Sequence, residues 1–351
     1  MSSRPVVDLR SDTVTQPTPE MRRAMAEAVV ADDGREGDPT AGRLEEMAAA
    51  VTGHQAGLFC TSGTMGNLVA LMTHLRAGEE VVAERDSHFL RFEAGGCTAV
   101  VGAIPRTVAG RAGRMDLEEV TREIQAGSRH RPRTGLIVAE NTHNLAGGTV
   151  LEVQYVQRLW EIAGDHEVPV HLDGARVFNA AVALRVPVKE LTWGCQSVMV
   201  DLSKGLCAPY GSLLCGSAEF ISRARQMRQR VGGGVRQIGH MAAAGIVALE
   251  SMVDRLGEDH EKAGRLAAGI HRVRPDLVDL DLVQTNIVIV ETGPLGVTAA
   301  RLCEALEEEG IRCLPMAARR LRLVTHRDVT AEQVDQALEV IAEVVRSLPA
   351  P

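Results

Sequence analysis

Two residues of this chain have the types and the local setting that covalent carbonyl chemistry requires. Lys204 occurs in the glycine- and serine-rich segment VMVDLSKGLCAPYGS, and Asp173 ends the apolar segment VPVHLD. The chain has only three lysines, the other two being Lys189 and Lys262. A lysine amine can form an imine with an aldehyde, and a carboxylate can keep a pyridine nitrogen protonated. The pair therefore predicts a site for pyridoxal phosphate (PLP).

A third segment could bind the phosphate of such a cofactor. Ser62, Gly63 and Thr64 follow the apolar residues LFC and precede the helix-like segment MGNLVALMTHL. Small residues at a helix N-terminus expose backbone N–H groups to an anion, and their hydroxyls add donors. Taken alone, the segment is more typical of a capped helix start. Its order with Asp173 and Lys204 favours a phosphate site.

The elements that must position these residues alternate along the chain. Short apolar segments predict strands, and they are AGLFCTS, EEVVAER, TAVVGAIP, TGLIVAEN, VPVHLDG, SVMVDLS and GSLLCGS. Amphipathic segments between them predict helices, for example GRLEEMAAAVTG and VQYVQRLWEIAGDH. This alternation is typical of an α/β fold with a mostly parallel sheet. Ligands of such sheets bind at the carboxyl ends of the strands, where Ser62–Thr64, Asp173 and Lys204 all occur.

The pattern changes after about Glu250. A long polar helix segment is followed by the strand segment NIVIVET, the helix segment TAARLCEALEEEG, the strand segment LRLVTH and a closing helix. We therefore expect two domains within the 351 residues, a large PLP-binding domain over 1–250 and a small α+β domain over 251–351. The N-terminal segment is expected to contribute to the active site of the large domain.

Composition argues against several classes of protein. The net charge of −8, with arginines spread along the chain, provides no basic surface for nucleic acid. No apolar run approaches the roughly 18 residues that a membrane span needs. Seven cysteines, an odd number without a CxxC pair, and an N-terminus without an apolar stretch indicate a cytoplasmic protein rather than a secreted one. We expect no nucleic-acid or membrane partner.

Other catalytic chemistries lack their local motifs. The chain has no GxGxxG after its first strand, no GxxxxGK[ST], no HExxH and no GxSxG. His171 and Asp173 form an HxD pair that could bind a metal, but no third ligand is evident, so we expect no metal site. Cys207 lies beside the lysine turn without an evident base, and we interpret it as a small buried residue.

Many separate motifs occur in the order seen in one family. They are DLRSDTVTQPTPEMRRAM, GDPT, TSGTMGN, SHFLRFEAGG, AENTHN, HLDGAR, LSKGL, GGGVRQ and LRLVTH. The chain resembles the L-threonine aldolase family, fold-type I PLP enzymes related to the β-eliminating lyases, from about Val7 to about Leu348. The resemblance implies an aspartate-aminotransferase-like α/β fold, PLP as cofactor and a homo-oligomer, a dimer of dimers, with active sites at the subunit interface.

The resemblance also implies a role for each matching residue of the cofactor site. Lys204 binds PLP covalently, and Asp173 pairs with the pyridine nitrogen. Ser62, Gly63 and Thr64 match the phosphate loop. Arg236, in GGGVRQ, matches an arginine that reaches the phosphate from a neighbouring subunit.

Further residues match the parts of the family site that meet the ring and the substrate. His88 matches the histidine that stacks on the pyridine ring, and Arg176 lies near the cofactor and the substrate carboxylate. Arg322 and Ser11 complete the carboxylate site, where a guanidinium can form two parallel hydrogen bonds.

The implied reaction is the retro-aldol cleavage of a β-hydroxy-α-amino acid of the threonine or allo-threonine type to glycine and an aldehyde. The base that removes the β-hydroxyl proton stays open among His88, His130, Glu93 and a water held between them, with His88 favoured. Other outcomes at the same site are β-elimination, racemisation, transamination, or an aldol cleavage that releases an aldehyde other than acetaldehyde. A non-enzymatic alternative is a catalytically silent PLP-fold binding module.

The chain departs from the family pattern at several positions near the expected site. Glu36 stands where relatives have a tyrosine, and Asp201, Cys207 and Tyr210 surround the lysine turn. These changes are explained equally well by neutral drift at the pocket rim and by an aldehyde that is larger or more polar than acetaldehyde. Tyr210, one of few aromatic residues, is a candidate for shaping the pocket.

Overall fold

A computed structural model describes residues 5–348 of the chain. The strands in this part of the chain are β1 (Val7–Asp8), β2 (Ala56–Cys60), β3 (Glu80–Glu84), β4 (Ile104–Val108), β5 (Gly110–Arg111), β6 (Arg114–Met115), β7 (Thr134–Glu140), β8 (Val170–Gly174), β9 (Ser197–Asp201), β10 (Ser212–Gly216), β11 (Ile287–Glu291), β12 (Ile311–Arg312), β13 (Leu314–Ala317) and β14 (Arg320–Val324).

The α-helices in the same part are α1 (Pro19–Glu27), α2 (Pro39–Thr52), α3 (Gly63–His74), α4 (His88–Arg91), α5 (Gly96–Ala99), α6 (Leu117–Glu123), α7 (Val153–Asp165), α8 (Val177–Leu184), α9 (Val188–Leu191), α10 (Ala218–Arg230), α11 (Gly239–Ser251), α12 (Leu256–Val273), α13 (Ala299–Glu308) and α14 (Ala331–Ser347). Within residues 5–348, none of the helices combines the length and the apolar character that a bilayer span requires.

Seven strands form the central sheet in the order β2, β10, β9, β8, β7, β3, β4. In this order, the neighbouring strands from β9 through β8, β7 and β3 to β4 are all parallel. In this sheet only β10 runs antiparallel to both of its neighbours, β2 and β9. Every residue of β7, β8 and β9 is buried, because helices cover both faces of the sheet. The predicted α/β fold with a mostly parallel sheet is confirmed.

The sheet brings the expected reactive residues to one edge. Strands β8 and β9 are parallel neighbours in which Asp173 lies opposite Met199. Their carboxyl ends therefore meet at the same edge, and the segments with Arg176 and Lys204 begin there. The chain leaves β2 at this edge as well, since α3 begins at Gly63, directly after the strand ends at Cys60.

A second core lies around an antiparallel sheet of β11, β14 and β13 and around helices α12 to α14. This core also contains Val7 and Leu9, because β1 pairs in parallel with β12. The N-terminal segment, which the sequence groups with residues 1–250, therefore packs against the C-terminal unit. We propose that the chain divides near residue 250 except for this crossing segment.

One strand prediction is wrong in its first half. The segment TAVVGAIP was expected to be extended, but Gly96–Ala99 form α5 and the strand β4 begins only at Ile104. Two glycines with left-handed backbone, Gly95 at φ 73° and Gly102 at φ 73°, begin and end this compact turn. Apolar residues alone do not specify extended structure when flanking glycines permit a tight reversal.

Candidate active site

A cavity of about 350 Å³ lies at the carboxyl edge of the central sheet. It is bordered by residues of both cores, and these are Ser11, Thr13, His88, Phe92, Asn144, Arg176, Lys204, Leu314, Pro315, Met316 and Arg322. Five residues that the sequence placed in the site therefore meet here: Ser11, His88, Arg176, Lys204 and Arg322. An amine, two guanidiniums and an imidazole on one cavity are suited to an anionic, carbonyl-containing ligand.

The lysine lies in a tightly bonded turn after β9. The Asp201 carboxylate accepts hydrogen bonds from the Ser203 backbone N–H at 2.6 Å and from its hydroxyl at 2.8 Å. The Lys204 Nζ lies 3.6 Å from Asp201 Oδ2, and the Lys204 carbonyl accepts from the Thr15 hydroxyl at 2.9 Å. Asp201, a departure from the family pattern, thus positions both the turn and the amine.

Cys207 closes this turn and is not exposed to the cavity. Its backbone has a left-handed φ of 63°, and its N–H donates to the Lys204 carbonyl at 2.9 Å. The side chain is completely buried, and burial raises the pKa of its thiol to about 11. A thiol in that environment stays protonated and is not a nucleophile, as the sequence indicated.

Asp173 lies buried beside His88, which borders the cavity. The Asp173 Oδ2 accepts a hydrogen bond from Asn67 Nδ2 at 2.8 Å, and the Asp173 Oδ1 accepts one from the Ala175 backbone N–H at 3.2 Å. Only 1% of the residue is exposed. A ring nitrogen of His88 and a carboxylate oxygen each of Glu93 and Asp173 lie within 4.8 Å of one another. The Asp173 carboxylate is therefore close to a residue of the cavity border while being shielded from solvent.

His88 is held between two carboxylates. Its Nδ1 lies 2.9 Å from Glu93 Oε1, and its backbone N–H donates to Glu140 Oε2 at 2.6 Å. Burial would lower the pKa of His88, but its hydrogen bond to Glu93 and the charges of Asp173 and Glu140 raise the pKa above the usual value. Because Glu93 accepts from Nδ1, the neutral ring has its lone pair on Nε2.

The two arginines of the cavity have different partners. The Arg176 Nε and Nη2 donate to the two carboxylate oxygens of buried Asp12 at 2.8 and 2.7 Å. This bidentate ion pair compensates the charge of Arg176. Arg322 instead donates to neutral acceptors, Asn144 Oδ1 at 2.8 Å and the Arg10 carbonyl at 3.3 Å.

Arg322 therefore carries a guanidinium that forms no ion pair with a carboxylate of residues 5–348. Burial and the nearby charge of Arg176 lower the pKa of Arg322 to about 10, while Asp12 acts in the opposite direction. The side chain remains positively charged at neutral pH, and its position in the cavity is suited to an anion.

The expected phosphate segment begins α3 next to the lysine turn. The Ser62 hydroxyl accepts from the Met65 backbone N–H at 3.2 Å, which caps the helix. A Cβ at Gly63 would lie 2.8 Å from Asp201 Oδ2, so glycine allows the helix start to approach the end of β9 closely. Ser62 and Thr64 are exposed and do not border the cavity of about 350 Å³ in this chain.

Several predicted positions lie apart from the cavity within this chain. Arg236 is 70% exposed and pairs with Asp32 at 3.3 Å, and Glu36 accepts from the Asp32 N–H on the same loop at 3.3 Å. His130 is exposed on a turn. Tyr210 packs edge-on against Phe59, with ring centroids 6.3 Å apart. Within residues 5–348, none of these four residues borders the cavity that contains Lys204.

Sequence reasoning missed several residues that complete the site. Asp12 and Asn144 bind the two arginines, and Asn67 binds Asp173. Each occurs inside a motif that was recognised, respectively DLRSDT, AENTHN and TSGTMGN. Their polar side chains at positions that become buried were the available signal, since buried polar groups need partners.

This donor set fits PLP. The aldehyde of PLP needs an amine, which Lys204 provides, and its ring nitrogen needs an acid, for which Asp173 is placed. Its phosphate needs amide and hydroxyl donors of the kind present at the start of α3. A metal site at the HxD pair of His171 and Asp173 is not supported. Both ring nitrogens of His171 are hydrogen-bonded, one to Asn67 and the other to Ser197, and neither is free to bind a metal.

Known proteins resemble the chain over nearly its whole length. A probable low-specificity L-threonine aldolase 2 of Arabidopsis thaliana is 42% identical over 348 residues, which cover 97% of this chain and 98% of the plant protein. The low specificity L-threonine aldolase of Escherichia coli strain K12 is 42% identical over 331 residues, covering 94% and 96% of the two chains.

A solved structure and a protein-family pattern also match the chain. A threonine aldolase structure from Leishmania major matches with a TM-score of 0.82 at 17% identity, covering 96% of this chain and 99% of that one, which confirms the fold. The family pattern of the β-eliminating lyases matches residues 8–292. The chain therefore belongs to the β-eliminating lyase family, within its L-threonine aldolase group.

Proposed function

We propose that this protein is a PLP-dependent aldolase that cleaves a β-hydroxy-α-amino acid of the threonine or allo-threonine type to glycine and an aldehyde. One observation carries the proposal: Lys204 borders the same cavity as Arg322, which forms no ion pair with a carboxylate of the described residues. The amine can hold the cofactor, and the guanidinium can bind the substrate carboxylate through two parallel hydrogen bonds. The threonine aldolase names of the relatives at 42% identity support the same reaction.

PLP, when bound, supplies the electron sink for the bond that breaks between Cα and Cβ. The buried Asp173 carboxylate keeps a proton on the ring nitrogen, and the donors of Ser62–Thr64 bind the phosphate. Arg322, with Ser11 beside it on the cavity, orients the substrate through its carboxylate. This clamp would fix the orientation of the substrate and thereby determine which of its bonds breaks.

We assign the base for the β-hydroxyl proton to His88. Its Nδ1 is engaged by Glu93, which leaves Nε2 as the nitrogen that can take a proton. Glu93 itself is buried, and burial raises its pKa above the usual value, so it can share the proton with the imidazole. A water held between the two side chains is the alternative, and His130 lies outside this chain's cavity.

Part of the cavity border is apolar. Phe92, Leu314, Pro315 and Met316 lie there, whereas Glu36 and Tyr210 do not border the cavity of this chain. An apolar border favours substrates with an uncharged side chain on the β-carbon, because an ionised group would lose its hydration there. Glu36 would influence the choice of aldehyde only if it entered the site of another subunit.

Product analysis on a panel of β-hydroxy amino acids tests the reaction. Glycine and an aldehyde in equal amounts are expected. Pyruvate with ammonia would indicate β-elimination, inversion at Cα would indicate racemisation, and a keto acid that requires an added amino acceptor would indicate transamination. Binding of PLP without any turnover would identify a silent binding module and overturn the enzyme assignment.

The lysine assignment has a matched control within the chain. Lys204→Ala should abolish the visible absorbance of covalently bound PLP and all glycine release, because no other amine borders the cavity among the described residues. Lys189→Ala changes an exposed lysine outside the cavity and should leave both unchanged. A persistent imine absorbance in the Lys204 variant would contradict the assignment.

We also propose a cytoplasmic homotetramer, a dimer of dimers, in which Arg236 serves the phosphate of a neighbouring subunit. The exposure of Arg236 and its distance from its own chain's cavity support this arrangement, since a residue that acts in another subunit needs to reach outward. The seven cysteines form no disulfide, which agrees with a reducing compartment.

A further inference from the structure

A row of buried polar side chains lies between helix α3 and the central sheet, behind Asp173. Asn67 and His74 lie seven residues apart and hence on the same side of α3. On the facing strands, His171 of β8 and Ser197 of β9 are directly paired. Such a polar row under a helix that otherwise packs on a buried sheet requires complete hydrogen bonding.

The four side chains form a continuous chain of hydrogen bonds. Asn67 Oδ1 lies 3.2 Å from His171 Nε2, and His171 Nδ1 lies 2.8 Å from the Ser197 hydroxyl. The same hydroxyl lies 2.8 Å from His74 Nε2. His74 is half-buried at the opposite end of the sheet, where its ring stacks on Phe220 at 4.5 Å.

The orientation of the Asn67 amide determines the direction of every hydrogen bond in this row. Asn67 Nδ2 donates its two hydrogens to two carboxylates, Asp173 Oδ2 at 2.8 Å and Glu93 Oε1 at 2.9 Å. The Asn67 oxygen must then face His171, whose Nε2 carries the hydrogen. Ionised carboxylates cannot donate, so the opposite amide orientation would place the amide oxygen of Asn67 against the oxygens of Asp173 and Glu93.

The orientation of the Asn67 amide also fixes the hydrogen positions on the other three side chains of the row. With its hydrogen on Nε2, the neutral His171 ring accepts at Nδ1, so the Ser197 hydroxyl donates to it. The hydroxyl in turn accepts from His74 Nε2–H. Burial lowers the pKa of His171 to about 4 and that of His74 to about 3, so both rings are neutral at physiological pH. Every donor in the row therefore points toward Asp173.

We propose that His171, Ser197 and His74 are positioning residues that hold the Asn67 amide in the orientation that stabilises the Asp173 carboxylate. This inference rests on the proposed function, in which Asp173 meets the ring nitrogen of PLP. Asp173 and Glu93 are both buried, and their charges repel. The Asn67 amide bridges them only while its oxygen is occupied by the donor from His171.

Two variants of His171 separate hydrogen bonding from packing. His171→Leu removes the donor to Asn67, whereas His171→Gln retains an amide N–H near the position of Nε2. His74→Phe removes the far end of the row but keeps a ring for stacking on Phe220, and it is the variant least expected to disturb folding. His54→Leu is the control, because His54 is a partly buried imidazole that bonds only Thr52 and the Cys195 carbonyl.

The measurement begins with PLP added to the purified apoprotein of each variant. The Kd for PLP and the state of the ring nitrogen, observed by NMR with isotope-labelled PLP, are determined together with kcat and KM. His171→Leu should raise the Kd about 3- to 10-fold, the effect of about one hydrogen bond. It should also lower the protonated fraction of the ring nitrogen and reduce kcat more than it raises KM.

His171→Gln should recover most of this loss, His74→Phe should show a smaller change in the same direction, and His54→Leu should show none. Equal ring-nitrogen signals in wild type, His171→Leu and His74→Phe would overturn the inference. A wild-type protein that forms no covalent PLP complex would instead overturn the proposed function, so the two failures are distinguishable.

Discussion

The most informative contrast at the scale of single residues is between the two arginines of the cavity. Arg176 and Arg322 have the same chemistry, and both were assigned to the substrate carboxylate. Asp12 occupies Arg176 with two hydrogen bonds, whereas Arg322 bonds only neutral oxygens. A guanidinium already paired with a buried carboxylate has little to gain from a second one. We therefore assign anchoring of the substrate to Arg322 and a structural role to Arg176.

Replacing Arg322 tests this assignment. Arg322→Ala should raise KM for the amino acid about 30-fold or more, because a charge-assisted pair contributes about 2 kcal/mol. Steady-state kinetics on wild type and variant provide the measurement. Arg320→Ala, on the same strand, removes an arginine that pairs with Glu291 outside the cavity and should leave KM unchanged. Equal KM values for the Arg322 variant and wild type would place the anchor elsewhere.

At the scale of elements, the segment after β1 connects the two cores at the active site. Asp12 begins a 3₁₀ turn that Ser11 caps by accepting from the Thr13 N–H at 3.3 Å. The Asp12 carboxylate bonds Arg176 at the start of α8 and also accepts from Asn286 at 3.1 Å. Thr15, one residue past the turn, donates to the Lys204 carbonyl. A single turn thus bonds the segments that follow β8 and β9.

Asp12→Asn should destabilise the protein in a pH-dependent manner. Burial would raise the pKa of Asp12, but Arg176 and the hydrogen bonds lower it well below its usual range. An unfolded aspartate titrates near about pH 4, so the ion pair contributes fully above that pH and progressively less below it. We expect a loss of about 3 kcal/mol in the free energy of unfolding at neutral pH.

Denaturant unfolding of wild type and Asp12→Asn at several pH values provides the measurement. The difference between the two proteins should narrow as the pH falls below about 4. Asp276→Asn, which removes a surface pair with Arg274, should change the unfolding free energy little at any pH. A difference that stays constant down to low pH would show that the loss does not come from the ionised pair.

At the scale of the whole molecule, the cavity lies where the two cores meet. The central sheet contributes Lys204, and the C-terminal sheet contributes Arg322. In the proposed site, cofactor and substrate carboxylate would therefore be bound by residues of different units. Arg236, between α10 and α11, and Glu36, between α1 and α2, lie on two loops that both contact Asp32 and do not border this cavity. In the proposed assembly, a neighbouring subunit would bring them to a cavity.

Mixing inactive variants tests the assembly. Lys204→Ala and Arg236→Ala should each be strongly impaired, and reassembly of their mixed subunits should restore about a quarter of wild-type activity. Half of the random dimers are mixed, and one of the two sites in each mixed dimer has no substitution. Arg35→Ala, on a neighbouring exposed loop, removes another arginine that pairs with Asp32; it is the control and should remain active. No recovery after mixing would contradict a phosphate contact from a neighbouring subunit.

Much of the fold was predictable because its determinants are local. Buried parallel strands appear as continuous apolar segments, and the lysine and aspartate that follow them necessarily meet at one edge of the sheet. The prediction failed at TAVVGAIP, where Gly95 and Gly102 permit a turn and a short helix in an apolar context. The cavity residues in recognised motifs were predicted, but their partners were not.

The amino-acid sequence by itself determined the α/β class, PLP as the cofactor and the family, and it predicted Lys204 and Asp173 as the cofactor residues, because each depends on residue type and order along the chain. Only the tertiary structure decided which arginine is free to bind a substrate and which amide supports the aspartate. Asp12 and Arg176 are 164 residues apart in the chain, and Asn67 and Asp173 are 106 apart. Hydrogen-bond partners at such separations are chosen by packing, which local residue patterns do not encode.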